Sequence, residues 1–329
     1  MRALLLAAVG TSIFLCSTTI FGYGHQGHEA VGYVAAALIK GTNAEKQLKK
    51  LLKPTENLAA AAEWADCAKG FTYCHVDPTP EMRDFAARNK SHHNYHYTDV
   101  PFQLGAYQKG AVGTTSDDVV NILEDAILVL RGHAPANPAH DVTKREALFI
   151  LAHMTGDIHQ PLHVGAGYVS EDDEFFVPQS ETEAMTAFTQ GGNLLCDKSK
   201  GLHSKWDTDY VVKAMKAAHT TTSEEFANVL LAKAKKVKGT TGAAGTWPGK
   251  WATDTLRLAL LELEPIAIVK KRTAGPGRSP CAASAATPIA SVWNIELPDD
   301  YAGDSALTVN DQLAKAGARL ASLLKAIWP

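Results

Sequence analysis

Helical periodicity is the feature that most constrains the fold of this chain. Nearly every strong apolar pattern repeats at steps of three and four residues, which places apolar side chains on one face of an α-helix. Alternating patterns typical of strands are almost absent. The segments predicted to be helical are 28–40, 43–52, 56–66, 116–132, 143–160, 202–218, 223–237, 251–271 and 310–328. The sequence therefore predicts an all-α fold, a multi-helix bundle in a single domain.

Two stretches interrupt this pattern. Residues 165–192 are predicted to form a long loop with the acidic cluster SEDDEFF, and residues 273–288 form a connector rich in Gly, Pro, Ala and Ser. Helical segments of similar character flank both stretches, so we interpret them as surface excursions of one domain. Asn89, in the sequence NKS, is an acceptor for N-glycosylation in a host that glycosylates.

Residues 1–22 have the features of a secretory signal peptide. Arg2 is followed by an apolar run to about Phe21 and then by glycines. The run is nearly long enough to span a bilayer, so a membrane anchor is the alternative. Cleavage after the small residue Gly22 would leave Tyr23 as the first residue of the mature chain. We therefore predict a secreted or periplasmic protein with no stable membrane insertion after cleavage.

Composition and cysteine content limit the function classes. The formal net charge of −3 over 329 residues excludes a broadly basic nucleic-acid-binding surface, but it is compatible with a site whose positive charge comes from bound metal. Removal of the signal peptide leaves four cysteines, which in an exported chain predict two disulfides with three connectivities. We expect Cys67 to pair with Cys74 and Cys196 with Cys281.

Histidine and aspartate occur together at helical spacing in two segments. In HMTGDIHQPLH, His153 and Asp157 are four residues apart on one face of a predicted helix, and a proline then bends the chain so that His163 turns back toward the same space. In HSKWD, His203 and Asp207 repeat the spacing. One such pair is more often a surface polar pair than a ligand set. Two pairs together with His163 favour a metal site.

Other metal-binding residue types are scattered along the chain. Asp66 ends the motif EWAD, His96 and Asp99 lie in NYHYTD, and His28 lies close to the predicted mature N-terminus. Histidine and carboxylate without cysteine fit zinc or a similar divalent ion in a catalytic site.

The remaining histidines receive weaker interpretations. We expect His92 and His93 to be solvated loop residues. We set aside five further histidines as lacking a carboxylate at helical spacing: His25, His75, His133, His140 and His219. His159 is a candidate only for a hydrogen bond that supports a metal ligand.

These motifs, in this order, resemble the zinc-dependent single-strand nucleases and 3′-nucleotidases of class I. They are YGHQGH, EWAD, HYTD, HMTGDIHQPLHVG, GGN and LHSKWD, and they extend from residue 23 to residue 209. The resemblance implies one domain over residues 23–329 of the zinc phospholipase C and class I nuclease type. We expect it to be a monomer.

The resemblance also implies side chains and main-chain atoms for three zinc ions per chain. The first zinc would be bound by Asp66, His96, His153 and Asp157. The second, close to it, would share Asp157 and add His28 together with the amino group and carbonyl of Tyr23. A third, more distant zinc would be bound by His163, His203 and Asp207.

The implied reaction is hydrolysis of single-stranded DNA and RNA to products with a 5′-phosphate, together with 3′-nucleotidase activity. A hydroxide bridging the two closer zinc ions would attack the phosphorus. Asp99 would orient or deprotonate that water, and Lys69 would offset charge on the phosphorus. Tyr97 would stack an unpaired base, with Asn193 of GGN reading its edge. Core packing is an equally good account of Tyr97.

Two departures from the family pattern concern the predicted site. The family usually begins its mature chain with Trp, where this chain has Tyr23, and often has Arg where this chain has Lys69. Lysine keeps the positive charge but lacks the two-pronged hydrogen-bonding geometry of arginine.

Two other functions remain as alternatives. A zinc-dependent phospholipase C shares the fold and most ligand types, but it typically has Glu where this chain has Asp207, and it lacks GGN. A non-enzymatic extracytoplasmic zinc-binding protein would need neither Asp99 nor Lys69 near the metal ions.

Overall fold

A computed structural model describes residues 23–74, 77–274, 280–282 and 290–329. Most of these residues are helical. The α-helices are α1 (Gly24–Ile39), α2 (Asn43–Leu51), α3 (Leu58–Ala61), α4 (Trp64–Ala68), α5 (Phe71–Cys74), α6 (Pro80–Arg88), α7 (Val119–Leu130), α8 (Lys144–Asp157), α9 (Glu181–Ala187), α10 (Leu202–Ser204), α11 (Tyr210–Ala217), α12 (Ser223–Ala234), α13 (Trp247–Leu263) and α14 (Tyr301–Ile327). Short 3₁₀ segments cover His92–His96, Phe102–Leu104, Pro161–His163 and Ala244–Thr246. The prediction of an all-α, single-domain fold is confirmed, with minor strands added.

Helix α1 lies at the centre of the bundle, against α14, α12 and α3. Glycine permits two of these close approaches. A Cβ at Gly317 of α14 would lie 2.5 Å from Val34 of α1, and a Cβ at Gly32 would lie 2.5 Å from the backbone of Ala59 in α3. The helices therefore meet almost backbone to backbone, which holds the N-terminal segment firmly in the core.

Helix α8 is the best-defined helix near the predicted site. The Thr143 hydroxyl accepts a hydrogen bond from the Glu146 amide, and the Glu146 carboxylate accepts one from the Thr143 amide, which makes a complete capping box. Every residue from Glu146 to Asp157 is buried, and α8 packs against α7. The helix thus carries His153 and Asp157 into the interior of the protein.

The structure contains strands that the periodicity did not predict. Strands β3 (Leu195–Asp197), β4 (Lys200–Gly201), β5 (Ala267–Ala274) and β6 (Ala290–Glu296) form a sheet in the order β4-β3-β6-β5, and β1 (Val100–Pro101) pairs in parallel with β2 (Gly165–Ala166). The predicted helix 251–271 was therefore wrong beyond Leu263. Pro265 disfavours continuation of the helix, and the branched residues after it favour a strand.

Two further expectations need correction. The stretch 165–192 is not a plain loop, because it contains β2 and α9 and forms bridges between Tyr168 and Phe188 and between Val169 and Phe175. The predicted helix 202–218 is interrupted by a π-helical turn over Lys205–Asp209. Most of the connector 273–288 lies outside the described residues.

Both expected disulfides, Cys67–Cys74 and Cys196–Cys281, are present. The Asn89 side chain is buried, and its Nδ2 donates hydrogen bonds to the carbonyls of Phe85 and Asp141 at 3.0 and 2.9 Å. The nitrogen that a glycan would occupy is buried and already donates two hydrogen bonds, so the folded structure argues against Asn89 as a glycosylation site.

Across the described residues, no helix combines the length and the apolar character needed to cross a membrane. The predicted signal peptide, residues 1–22, lies outside the described residues, so its cleavage stays a prediction.

Candidate metal centre

The first cluster forms at the end of α8, which carries His153 and Asp157. His153 donates its Nδ1 hydrogen to the Ala62 carbonyl at 2.6 Å, so its Nε2 carries the lone pair. That Nε2 lies 3.1 Å from Asp157 Oδ2 and 3.7 Å from Asp66 Oδ1. His96 Nδ1 faces the same two carboxylates at 2.9 and 3.6 Å. Asp66, His96 and His153 thus form a first buried cluster whose donor atoms converge.

A second cluster, His28, His153 and Asp157, lies on the other side of the His153 ring. The His28 ring stacks on His153 with centroids 3.8 Å apart, and its Nε2 is 3.2 Å from Asp157 Oδ1. Gly156 makes room for this ring, because a Cβ there would lie 2.7 Å from His28 Nδ1. The two oxygens of Asp157 therefore face different clusters, Oδ2 the first and Oδ1 the second.

The third cluster follows the proline bend after α8. His163 donates its Nδ1 hydrogen to the His96 carbonyl at 2.7 Å, and His203 donates its own to the Gly191 carbonyl at 2.7 Å. Their Nε2 atoms lie only 3.1 Å apart, and Asp207 approaches them at 3.7 and 3.3 Å. The π-turn Lys205–Asp209 carries this Asp207, as irregular helical turns often do at functional sites.

These contacts test whether a cation fits the clusters. With both Nδ1 hydrogens donated to carbonyls, neutral His163 and His203 point two bare lone pairs at each other, which is repulsive unless a cation lies between them. Both ring nitrogens of His28, and the buried oxygens Asp157 Oδ1 and Asp207 Oδ2, make no hydrogen bond of normal geometry among the described residues, although His28 Nε2 lies 3.2 Å from Asp157 Oδ1. Buried polar atoms are normally paired, so this donor set fits divalent metal ions.

The charges around the clusters are strongly coupled. Burial opposes ionisation of Asp157, but His153 and His163 outweigh it and hold the pKa of Asp157 well below its usual range. Burial alone would lower the pKa of His163, yet Asp157 and Asp207 raise it to about 9. A proton can therefore occupy His163 where a metal ion would bind, and the two compete.

Comparison of the whole chain with known protein families agrees with the fold and with the three clusters. Residues 23–329 match the sequence profile of the S1/P1 nuclease family. The chain belongs to the S1/P1 nuclease family. Nuclease S1 from Aspergillus oryzae is 24% identical over 332 aligned positions, which cover 98% of this chain and 97% of that protein. Endonuclease 2 from Arabidopsis thaliana is 24% identical over 334 positions, covering 96% and 94%.

The match confirms the resemblance that the motifs predicted, and it selects the nuclease among the three alternatives. Membership in the S1/P1 nuclease family implies a hydrolase with nucleic acid as its class of substrate. All eight predicted side-chain ligands of this nuclease lie in the three buried clusters: His28, Asp66, His96, His153, Asp157, His163, His203 and Asp207.

The other predicted site residues surround the clusters of this S1/P1 nuclease. The Lys69 ammonium lies 2.5 Å from Asp66 Oδ1, and its side chain is 2% exposed. Asp99 is half-buried, and burial raises its pKa to about 7. Tyr97 is also half-buried, so its ring is not part of the deep core. Asn193 donates its Nδ2 to the Gln190 carbonyl at 2.8 Å, and its amide therefore helps hold the GGN turn.

Tyr23 is completely buried at the start of α1. Its carbonyl accepts a hydrogen bond from the Gly27 amide at 3.1 Å, and its hydroxyl donates to the His159 carbonyl at 3.0 Å. His159 supports no metal-ligand side chain with its ring, because that ring bonds to the Thr155 carbonyl and to Arg319.

Sequence reasoning missed several contributors to the site. The carbonyls of Ala62, His96 and Gly191 fix the rings of His153, His163 and His203, and main-chain acceptors leave no side-chain signal. Gln160 donates to Asp207 Oδ1 at 2.8 Å, which the sequence could have suggested through its place between Asp157 and the proline.

The expectation that His92 is solvated was wrong. Its ring is buried edge-on against Phe85, and burial together with His93 lowers its pKa to about 4. His93 is exposed, as expected. His25 was wrongly set aside, because Glu29 follows it by four residues on α1 and the two side chains lie 3.5 Å apart. His75 lies outside the described residues.

Proposed function

We propose that this protein is an exported, zinc-dependent phosphodiesterase. It hydrolyses single-stranded DNA and RNA to products with a 5′-phosphate and removes phosphate from 3′-nucleotides. The observation that carries the proposal is the set of three buried His/Asp clusters, two of which share His153, in a chain of the S1/P1 nuclease family. The two disulfides support export, because disulfides persist in oxidising compartments.

Three zinc ions suit the donors present. Asp66, His96, His153 and Asp157 would hold one, Asp157, His28 and Tyr23 a second, and His163, His203 and Asp207 a third. When bound, zinc lowers the pKa of water toward neutrality and polarises a phosphodiester. The three aspartates balance about half of the charge of three Zn²⁺ ions, so the site would attract phosphate although the protein is acidic overall.

Tyr23 would contribute main-chain atoms, and this role depends on processing. A free α-amine exists at residue 23 only after cleavage following Gly22. A peptide nitrogen in the same place has its lone pair delocalised into the carbonyl and is a poor donor. Signal-peptide removal and completion of the site would therefore be one event.

Two side chains would act on the reacting groups themselves. Asp99 has a pKa raised to about 7 by burial, so its carboxylate can hold or accept a proton of the attacking water near neutral pH. Lys69 keeps a buried positive charge beside Asp66, where it would offset negative charge that develops on the phosphate.

Preference for single strands would follow from base stacking. Tyr97 is half-buried and would present its ring to an unpaired base. Asn193 has its Nδ2 occupied by the Gln190 carbonyl, which leaves its Oδ1 to accept a hydrogen bond from a base edge.

The test is metal analysis of the mature protein alongside turnover of four substrates: single-stranded DNA, RNA, 3′-AMP and phosphatidylcholine. We expect about three zinc ions per chain and turnover of the first three substrates. A zinc content well below three, or turnover of the lipid alone, would refute the proposal.

A further inference from the structure

The Tyr23 side chain makes contacts that a main-chain ligand would not need. Its ring is 0% exposed, and its hydroxyl donates to the carbonyl of His159, which is 136 residues away in the sequence. His159 lies two residues after Asp157, at the end of the same buried turn. The proposed ligand function of residue 23 uses only its amino group and carbonyl, so the phenol must serve another purpose.

The acceptor carbonyl is itself held from several sides. Gln312 of α14 donates its Nε2 to the same His159 oxygen at 2.8 Å. The His159 ring donates Nδ1 to the Thr155 carbonyl at 2.7 Å, and its Nε2 accepts from Arg319 of α14 at 3.0 Å. Arg319 also forms an ion pair with Asp254 on α13. The position of the carbonyl is thus fixed by α8, α13 and α14 together.

The backbone around Tyr23 leaves almost no freedom. A Cβ at Gly27 would lie 2.6 Å from the Tyr23 Cβ. Gly24 has a φ of +49°, and a Cβ there would lie 2.8 Å from the Asp207 carbonyl oxygen. Only glycine fits both positions, so the main chain at Gly24, directly after Tyr23, lies close to the turn that carries Asp207.

We propose that His159, Gln312 and Arg319 form an N-terminal anchor that positions the main chain of residue 23 for metal binding. In this anchor, the His159 carbonyl accepts the Tyr23 hydroxyl, and Gln312 and Arg319 hold His159 in place. These three are positioning residues, which act through Tyr23 and touch no substrate. The anchor rests on the proposed function, since it requires residue 23 to bind zinc. Through it, the C-terminal helix α14 sets the zinc affinity of the cluster that contains His28.

The experiment compares Tyr23→Phe with a control, Tyr107→Phe. Tyr107 is also buried, and its hydroxyl donates to Asp118 Oδ2, at the start of α7, at 2.8 Å. Each substitution removes one hydroxyl and keeps the ring, so each should cost a similar amount of folding stability. Mass spectrometry of both proteins first confirms that the mature chain begins at residue 23.

The readout is zinc affinity of the metal-free mature protein, titrated in competition with a chromophoric chelator. We expect Tyr23→Phe to weaken one zinc site by about threefold to tenfold, the effect of one buried hydrogen bond, while the site of His163 and His203 is unchanged. Tyr107→Phe should bind all zinc ions as the wild type does. Arg319→Gln, which withdraws the donor to the His159 ring, should weaken the same single site.

Several outcomes would overturn the anchor. Wild-type affinity in Tyr23→Phe would show that the phenol does not position a ligand, and equal weakening of every zinc site would reveal a general packing defect. Wild-type protein that lacks the second zinc, or that fails to cleave single-stranded DNA, would refute the proposed function and the anchor with it. Those results come from the wild type alone, so failure of the proposed function can be distinguished from failure of the anchor.

Discussion

His140 and His163 are both completely buried, and both lie between two carboxylates. His140 uses a different ring nitrogen for each, Nδ1 for Asp125 at 2.7 Å and Nε2 for Asp117 at 3.2 Å. Its carboxylates therefore lie on opposite edges of the ring. His163 gives its Nδ1 hydrogen to a carbonyl and turns the remaining lone pair toward His203 and Asp207.

The difference separates a structural cluster from a candidate metal cluster of the same residue types. Asp125 also accepts hydrogen bonds from the amides of Ala136 and Asn137 at 2.6 and 3.1 Å, so the His140 cluster is fully paired. In the candidate metal clusters, lone pairs converge and several buried atoms lack a hydrogen bond within the described residues. Convergence with missing partners, more than burial or composition, indicates a binding site.

The largest expected contrast comes from the same substitution in the two clusters. Asp157→Asn should abolish cleavage, by ~10³-fold or more, because one change weakens two metal positions at once. Asp125→Asn should leave kcat and zinc content at the wild-type level. Zinc analysis and initial rates on single-stranded DNA test both. Zinc loss in Asp125→Asn would erase the distinction.

Asp99→Asn should distinguish a proton acceptor from the metal ligands around it. We expect cleavage about 10²- to 10⁴-fold slower with unchanged zinc content, because a general base is lost and a ligand is not. Burial raises the pKa of Asp99 to about 7, and a nearby zinc would lower it. The wild-type rate should rise as pH increases toward 7 while the carboxylate ionises, and the variant should lack that rise. A variant that lost zinc would make Asp99 a ligand.

Asp125→Ala should expose the stabilising function of the other cluster. The change removes the acceptor of a buried histidine and of two amides, so we expect a loss of about 3 kcal/mol in the free energy of unfolding. The metal-free and the zinc-loaded protein should lose the same amount, as measured by urea denaturation of each. A loss confined to the zinc-loaded form would place Asp125 in the metal site.

The smallest expected effect is a difference in acid stability. Burial would raise the pKa of Asp125, but hydrogen bonds from His140 and the two amides outweigh it and lower the pKa. A lowered pKa contributes stability above the unfolded value of about 3.9 and loses it as pH falls through the folded value. Metal-free Asp125→Asn should therefore lose less stability than metal-free wild type between about pH 5 and pH 3. Parallel urea curves at both pH values would contradict this.

The contrast between the clusters also shows what sequence can predict. The four-residue spacings of His153 with Asp157 and His203 with Asp207 predicted both pairs on helices, and the proline predicted the return of His163. Asp66, His96 and His28 have no spacing that joins them to those helices, so only the family motifs indicated them. His140 was rightly set aside, yet its cluster could not be foreseen, because Asp117 and Asp125 approach it through tertiary packing.

Fold prediction failed where local and tertiary preferences differ. Leu263 ends α13, but the apolar run through Pro265 continued the helical pattern into what is strand β5. Its partner β6 follows at a distance along the chain, and pairing of that kind leaves no local periodicity. The π-turn that carries Asp207 was not predicted either, because one extra residue in a helical turn does not change the pattern of apolar residues enough to be recognised.

The packing of α1 against α14 has a consequence for biosynthesis. A ribosome that has translated every proposed ligand through Asp207 has yet to make the helix that closes the core around α1. Contacts between segments so far apart in the sequence form late, after the chain between them is complete. A nascent chain therefore carries all the donor atoms without the compact scaffold that would gather them. If the protein cleaves RNA as proposed, the messenger RNA and ribosomal RNA beside the nascent chain would be protected by the order of synthesis, before any barrier of membrane or processing applies.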